Sequence, residues 1–307
     1  MNNYAPVLIS VLDRDVHFKN CVISLVQNPL AKETHLFIAL DAPFAEKHKI
    51  GHGKVLSFIK SIEGFKEVTL FRREKNLGSS LNQSMAMEDI FKRYDRLIFT
   101  EDDNIFSPNF LDFVNQGLEL FKDRKDIFSI SGHNYLIDIP KSYTSNYYIW
   151  PGFDAWGVGL WKEKWNKVNF SIENRRKNAL TLKNIIKLNA IAGHYVPALF
   201  NLVQFGVLHD DFAVCMYLVE NNMYSLFPVI SKVRNNGLDG SGENGGISEL
   251  YNNQLIDEND TIHLCLDEGN QNNAVIFRVL KNFFKLKYKT KIKLLFRYFH
   301  FLSFSNK

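Results

Sequence analysis

The chain has 307 residues, of which 46% are hydrophobic and 23% charged, with a formal net charge of +4. This is ordinary globular composition, and a chain of this length buries enough surface to fold without covalent staples. The three cysteines lie too far apart to indicate a disulfide framework or a metal site, so a reducing cytoplasm is expected. No stretch approaches the roughly 20 apolar residues of a membrane span, and the N-terminus lacks the pattern of a signal peptide.

Short apolar runs alternate with helical patterns in the first half of the chain. The predicted strands are Val7–Leu12, Leu36–Leu40, Val68–Phe71, Arg96–Thr100 and Ile127–Ser131. The predicted helices are His17–Gln27, Ile50–Ile62, Ser79–Arg93 capped by Ser79 or Ser80, and a fourth from Ser107-Pro108 to about Phe121. This alternation is typical of an α/β fold with a mainly parallel sheet flanked by helices, in which ligands bind at the carboxyl edge of the strands.

The second half of the chain is less regular. It contains an aromatic stretch over Tyr147–Trp165, helical patterns at Leu180–Leu188 and Asp210–Glu220, and a Gly/Asn-rich loop at Asn235–Gly246. Because neither a repeat nor a clear linker divides it, we expect one domain over residues 1–250. Residues 251–307 then form a C-terminal extension.

Three adjacent carboxylates, Glu101, Asp102 and Asp103, follow the predicted strand Arg96–Thr100 directly. Neighbouring carboxylates repel one another unless they are solvated or bound to a cation. Their hard oxygen ligands suit Mn²⁺ or Mg²⁺, ions that take one or two protein carboxylates and fill their other positions with water and phosphate oxygens. The alternative is a solvated acidic turn.

Polar residues also follow the other predicted strands. Asp13 follows the first, Asp41 the second and Arg72 the third, and Asn76 lies in the turn beyond. Together at one sheet edge they predict a nucleotide site, although each alone is more often a turn or cap residue. The glycine patterns of dinucleotide-binding folds and of P-loop kinases are absent.

The runs RREKNLGSSLNQSM and LIFTEDDNIFSPNFLDF resemble the nucleotide-sugar half of GT-A fold glycosyltransferases. They are especially similar to the N-acetylglucosaminyltransferase I type and its bacterial relatives. The likeness continues through Pro151-Gly152, His209-Asp210-Asp211-Phe212 and Ser231-Lys232-Val233 into the Gly-rich loop, over roughly residues 4 to 250. The resemblance implies that residues 1–135 bind a nucleotide sugar, expected to be UDP-linked, and that residues 136–250 bind a glycan or lipid-linked acceptor.

The resemblance also implies an inverting hexosyl- or N-acetylhexosaminyltransferase of cell-surface polysaccharide synthesis. Asp103 falls on the direct metal ligand, with Glu101 and Asp102 in support. Asp210 or Asp211 is the expected base, although either one is also a candidate helix cap. Relatives tend to carry a histidine where this chain has Asn244, a poorer ligand for the metal.

Further expectations concern the surroundings of the donor and acceptor. Lys232 is a candidate contact for the donor phosphates. Trp150, Trp156 and Trp161 are candidates for the wall of the acceptor site, with the protein core as the alternative for each. A sugar nucleotidyltransferase is a competing function, but the glycine-rich N-terminal loop of that class is missing. A non-catalytic sugar-binding or membrane-tethered interaction protein is the other alternative.

The C-terminal tail is strongly basic. From Asn273 to Lys307 there are nine Lys or Arg and no Asp or Glu, interspersed with Phe and Leu. This mixture predicts a basic amphipathic segment for an anionic membrane surface, on a cytoplasmic protein bound at the inner face of the cell membrane. Nothing else in the sequence supports nucleic-acid binding. The alternative is a solvated helix docked on the body of the protein.

Overall fold

The computed structural model describes residues 4–177, 179–242, 247–266 and 273–305. The strands in these ranges are β1 (Val7–Val11), β2 (His35–Leu40), β3 (Glu67–Arg72), β4 (Arg96–Glu101), β5 (Asn104–Phe106), β6 (Ile127–Ser131), β7 (Tyr147–Trp150), β8 (Val158–Trp161), β9 (Tyr224–Pro228) and β10 (Val233–Asn235). The helices are α1 (Asp15–Val26), α2 (Glu46–Ile59), α3 (Ser79–Ile90), α4 (Phe110–Leu120), α5 (Lys162–Trp165), α6 (Ile172–Arg176), α7 (Leu182–Ile191), α8 (Tyr195–Phe205), α9 (Asp210–Asn221), α10 (Asn273–Phe283) and α11 (Tyr288–Ser305).

An 8-stranded sheet forms the centre of the molecule, in the order β3-β2-β1-β4-β8-β6-β9-β7. Strands β1 to β4, β6 and β9 run in one direction, and β7 and β8 run in the other. A second, 2-stranded antiparallel sheet joins β5 to β10. The predicted fold class, a mainly parallel sheet flanked by helices, is therefore confirmed.

Apolar side chains cover both faces of this sheet. Along β1, Leu8 belongs to one buried cluster and Val7 and Ile9 to the other, because successive side chains of a strand point to opposite faces. Helices α1, α2 and α4 cover one face, while α3 and α7 to α10 cover the other. Burial on both faces explains the continuous apolar runs of β1 and β2.

Two helix starts differ from the sequence prediction. Helix α3 is preceded by Gly78 as its cap residue, with a φ of 76°, so neither Ser79 nor Ser80 is the cap. Helix α4 begins at Phe110 after Asn109 and not at Pro108, and the hydroxyl of Ser107 donates a hydrogen bond of 2.9 Å to the Asn109 side chain. These shifts move the ends of the helices without changing the order of the elements.

The central sheet is continuous through both halves of the predicted domain. Strands β7, β8 and β9 all come from beyond residue 135, and β8 pairs directly with β4 of the first half. The boundaries at residues 135 and 250 stay a prediction. Within the described residues no single helix has the length and apolar content to cross a membrane; only α8 and α9 together do, as a pair bent by 112°.

Candidate active site

Three strand ends bring carboxylates to one edge of the sheet. Strand β1 pairs in parallel with β2 and with β4, so the ends of these strands lie side by side. Asp13 follows β1, Asp41 follows β2, and Glu101 is the last residue of β4. The register aligns Ser10 with Glu101. The shared edge expected from the alternating pattern is therefore present.

Asp103, the predicted metal ligand, is held by two side chains. The Arg14 guanidinium donates to Asp103 Oδ2 at 2.7 Å, and the Asn235 amide donates to Asp103 Oδ1 at 2.7 Å. Arg14 also donates to the carbonyl of Gly237 at 3.1 Å and to the hydroxyl of Ser241 at 3.0 Å. A single arginine thus ties the Gly-rich loop to the acidic cluster. Arg14 was not predicted from the sequence, although its place after a strand end was the available signal.

The loop approaches Asp103 so closely that a side chain at position 237 would collide with the Asp103 carboxylate. A Cβ atom built on Gly237 would lie 1.8 Å from Asp103 Oδ2, well inside any contact distance. The backbone N–H of Asn236 also donates to the Asp103 carbonyl at 3.0 Å. A side chain at position 237 would therefore displace the Asp103 carboxylate from its present position against the loop.

The acidic cluster carries more negative charge than its neighbours neutralise. Burial, followed by the charges of Asp103, Asp211 and Asp102, raises the pKa of Glu101 well above its usual value, although the Trp156 side chain hydrogen-bonds to it. Burial and Asp103 raise the pKa of Asp102 to about 7, against the lowering effect of Arg14. Such mutual repulsion is relieved by a bound cation.

These residues fit a divalent cation in charge and in ligand chemistry. Among the described residues, no group of three or more His, Cys, Asp or Glu side chains is arranged to hold a metal. Mn²⁺ and Mg²⁺ need only one or two protein carboxylates when phosphate oxygens complete their shell. Asp103 and Asp102 meet that need, provided that Asp103 releases Arg14. The other predicted metal contact, Asn244, lies outside the described residues.

Asp41 and Asn76 form part of one hydrogen-bonded turn. The buried Asp41 carboxylate accepts the backbone N–H groups of Ala42, Leu77 and Gly78, each at 2.9 Å, and the Asn76 amide at 3.1 Å. The carboxylate thereby fixes the turn that leads into α3. Their predicted contact with the donor stays a prediction.

The remaining predicted donor contacts have different surroundings. Asp13 pairs with His48 of α2 at 2.7 Å. Arg72 is exposed at the end of β3, close enough to His52 to help burial lower the pKa of that imidazole. Lys232 is 2% exposed, forms an ion pair with Asp257 of the C-terminal extension, and lies over the Phe113 ring. Its ammonium group is committed to Asp257, so a phosphate contact would require this buried ion pair to open.

The two candidate bases at the start of α9 differ in their environment. Asp210 accepts a hydrogen bond of 2.6 Å from the Ser80 hydroxyl on α3. Asp211 is reached by solvent but crowded by protein atoms, and this desolvation, with the charges of Asp154 and Asp210, raises its pKa to about 7. Because Asp211 also raises the pKa of Glu101, the structure brings α9 and the acidic cluster into one site.

Asp154 and His133 complete this side of the site and were not predicted from the sequence. Asp154 Oδ2 lies 3.1 Å from His133 Nδ1, and Asp154 Oδ1 accepts the Trp156 backbone N–H at 3.3 Å. The His133 ring is 1% exposed, contacts the Trp156 and Tyr251 rings, and within the described chain has no hydrogen-bond partner at Nε2. His133 follows β6 by two residues, so the rule of inspecting strand ends would have found it.

The three tryptophans for which the sequence left acceptor-site wall and core as alternatives divide between site and core. Trp156 hydrogen-bonds to Glu101 and packs on His133. Trp150 is fully buried against Phe277 of α10, and Trp161 is 8% exposed. Of the two alternatives, the core therefore holds for Trp150 and Trp161, because strands β7 and β8 carry them into the sheet.

Comparisons with known proteins give partial similarities of fold. No family model and no curated protein matches the chain. Solved structures that are similar to it include a mannosyltransferase of Pyrobaculum calidifontis in complex with GDP-Man and Mn²⁺, at 10% identity and a TM-score of 0.35 over 52% of this chain and 46% of that one. GalNAc-T7 with UDP, GalNAc and Mn²⁺ shares 13% identity at a TM-score of 0.41, over 74% of this chain and 43% of that one.

A third similar structure is S. aureus TarS 1-349 in complex with UDP-GlcNAc, at 12% identity and a TM-score of 0.36 over 55% of this chain and 48% of that one. The chain spans about half or less of the length of each of these proteins.

Proposed function

We propose that the protein is an inverting glycosyltransferase that moves a sugar from a UDP-linked donor to a hydroxyl group of a glycan or lipid-linked acceptor in cell-surface polysaccharide synthesis. The transferred group is a hexosyl or N-acetylhexosaminyl unit. One observation carries the proposal: Asp211, with a pKa of about 7, lies near an acidic cluster whose charge favours a bound cation. A base and a cation site are the two groups that such a transfer requires.

Asp211 is the proposed base. Inverting transfer in one step requires removal of a proton from the acceptor hydroxyl as its oxygen attacks the anomeric carbon. A carboxylate whose pKa is raised to about 7 accepts a proton more readily than one with an ordinary pKa, yet is largely ionised just above neutrality. Asp210, by contrast, is hydrogen-bonded to Ser80. We therefore assign proton removal to Asp211 and a positioning role to Asp210.

The opposite side of the reaction is the departing nucleoside diphosphate. Asp103 would hold a divalent cation, which would supply positive charge against the negative charge of this leaving group. Arg14 lies at the same point, and its planar guanidinium binds phosphate as well as carboxylate. Arg14 is therefore positioned to exchange the Asp103 carboxylate for a donor phosphate.

The test is turnover of a panel of nucleotide sugars with and without Mn²⁺, followed by comparison of three variants. Asp211→Asn should retain donor binding and lose turnover by about 10²–10⁴-fold, the usual contribution of a general base. Asp210→Asn should lose less. Asp89→Asn, a change at an exposed carboxylate of α3 that pairs with Lys92, is the matched control and should behave as the wild type.

Two results would contradict the proposal. If no nucleotide sugar binds in the presence of Mn²⁺, the protein is not a transferase of this class. If donors bind and turn over but Asp211→Asn equals the Asp89→Asn control, the reaction uses another base.

A further inference from the structure

Helix α11 carries an exposed apolar stripe. Ile292, Leu295, Phe296 and Phe299 are 38%, 54%, 71% and 60% exposed, respectively. Their spacing of i, i+3, i+4 and i+7 places them on one face of the helix. Single exposed apolar residues are common on proteins, but four in one helical stripe, two of them phenylalanines, form a patch of the kind that marks an interaction surface.

The opposite face of α11 is docked on the body of the protein. Leu294 is buried, and Phe301 packs against the main apolar cluster. The Arg297 guanidinium donates to Gln204 Oε1 at 2.8 Å and to Asn201 Oδ1 at 3.2 Å, both on α8. The helix is therefore held by one face, and this attachment turns the apolar stripe outward.

The positive charge around the apolar stripe indicates a negatively charged partner surface. Lys287, Lys289, Lys291 and Lys293 are exposed on the same segment, and the chain has no acidic residue from Asn273 to its end. A second copy of this face would bring lysines against lysines, which opposes self-association. An apolar stripe flanked by lysines matches a surface that combines negative charge with an accessible apolar layer, as an anionic lipid bilayer does.

We propose that the outward face of α11 docks the protein on an anionic membrane surface, with Phe296 and Phe299 inserted at the level of the headgroups and the lysines contacting anionic lipids. The structure joins the two alternatives that the sequence left open, because α11 is docked on the body and still presents an amphipathic face. This inference does not depend on the proposed transferase activity. It adds the membrane surface at which a lipid-linked acceptor would be met.

The structure also determines how the proposal can be tested. Truncation after Asn273 is unsuitable, because Ile276 and Leu280 of α10 are fully buried in the core, and their removal would expose it. Point variants on the outward face leave the docked face intact. The apolar variant is Phe296→Ser/Phe299→Ser, and the charge variant is Lys289→Gln/Lys291→Gln/Lys293→Gln.

Matched controls come from the body of the protein. Ile50→Gln/Leu255→Gln removes two apolar side chains that are 76% and 85% exposed. Lys60→Gln/Lys66→Gln/Lys125→Gln removes three exposed lysines. All variants should show the far-ultraviolet circular dichroism and melting temperature of the wild type, since none of the changed side chains is buried.

The measurement is flotation of the full chain with vesicles of phosphatidylcholine alone or with added phosphatidylglycerol. The wild type should bind the anionic vesicles far more tightly, and added salt should weaken this binding. The charge variant should bind about a hundredfold more weakly at low salt, from roughly fivefold per lysine, and the apolar variant about tenfold or more. The body controls should bind like the wild type. Equal binding of both vesicle types by the wild type, or equal losses in the α11 variants and the body controls, would overturn the proposal.

Discussion

The carboxylates of this site belong to two regions that use their charge differently. Asp41, at the end of β2, accepts four hydrogen bonds and locks the turn before α3. Glu101 and Asp211, where β4 meets α9, are instead crowded by protein atoms, whose desolvation raises their pKa values together with nearby like charges. A carboxylate at the carboxyl edge of the sheet is therefore not assigned a role by its position alone. A carboxylate with its hydrogen bonds satisfied positions the chain, whereas one with a raised pKa is available for proton transfer or for a cation.

We expect the two kinds of carboxylate to differ most in their contribution to the free energy of unfolding. Asp41→Ala should lower the free energy of unfolding by about 2–4 kcal/mol, because the backbone donors of the turn lose a shared acceptor. Asp211→Asn should not destabilise the protein at about pH 8. Because the pKa of Asp211 is higher in the folded state than in the unfolded chain, its ionisation costs stability as pH rises through about 7, and the amide removes that cost.

Urea denaturation of both variants at about pH 5 and pH 8 measures this difference. Asp211→Asn should raise the free energy of unfolding by less at about pH 5 than at about pH 8, because the Asp211 carboxyl is already protonated in the folded wild type at the lower pH. Equal destabilisation by the two substitutions would show that Asp211 is as much a structural acceptor as Asp41.

A second expected effect concerns Arg14, which joins the acidic cluster to the Gly-rich loop through Asp103 and Gly237. Arg14→Met should tighten Mn²⁺ binding to the nucleotide-free protein by about tenfold, because Asp103 no longer has a charged hydrogen-bond donor to release. Arg124→Met, which removes a surface arginine paired with Asp126, is the control. Isothermal calorimetry gives both affinities directly. Weaker or unchanged Mn²⁺ binding in Arg14→Met would mean that Asp103 is not the metal ligand or that Arg14 does not compete for it.

The smallest expected effect sharpens the assignment of the reactive region. Asp154 raises the pKa of Asp211, so Asp154→Asn should move the rising limb of the kcat–pH profile to lower pH. Turnover above about pH 8 should change little, since Asp211 is ionised there in both proteins. An unchanged midpoint would mean either that the rising limb does not report the ionisation of Asp211, or that Asp154 does not affect the pKa of Asp211.

Much of the first half of the molecule could be predicted from the sequence. Strands β1 and β2 are continuous apolar runs, because a parallel sheet buries both of its faces, and helical patterns of ordinary length separate them. Because parallel strands share one carboxyl edge, the residues after them, Asp13, Asp41 and Glu101, are predicted to lie at that edge from the sequence alone. These elements carry their signal locally, so the residues themselves were sufficient.

The features that escaped prediction depend on contacts between distant parts of the chain. Strands β7 and β8 lie in an aromatic stretch with no clear alternation, because β8 is buried on all sides between two neighbours. The contact of Arg14 with Asp103 spans 89 residues of sequence. The choice between Asp210 and Asp211 as the base also required the structure, because the two adjacent carboxylates differ only in the residues that the fold packs around them.

The position of β8 has a consequence for how the chain folds. Strand β8 hydrogen-bonds to β4 on one side and to β6 on the other, and it is the sole link in the described sheet between the block β3-β2-β1-β4 and the block β6-β9-β7. During synthesis β4 emerges well before its second neighbour, and its open side stays unpaired until residues up to Trp161 are available. Pairings between such distant segments slow folding and leave a strand edge open to wrong partners. Strand β8 joins the two blocks of strands into one sheet. The block β3-β2-β1-β4 therefore depends on the later part of the chain to cover its open edge and protect it against aggregation.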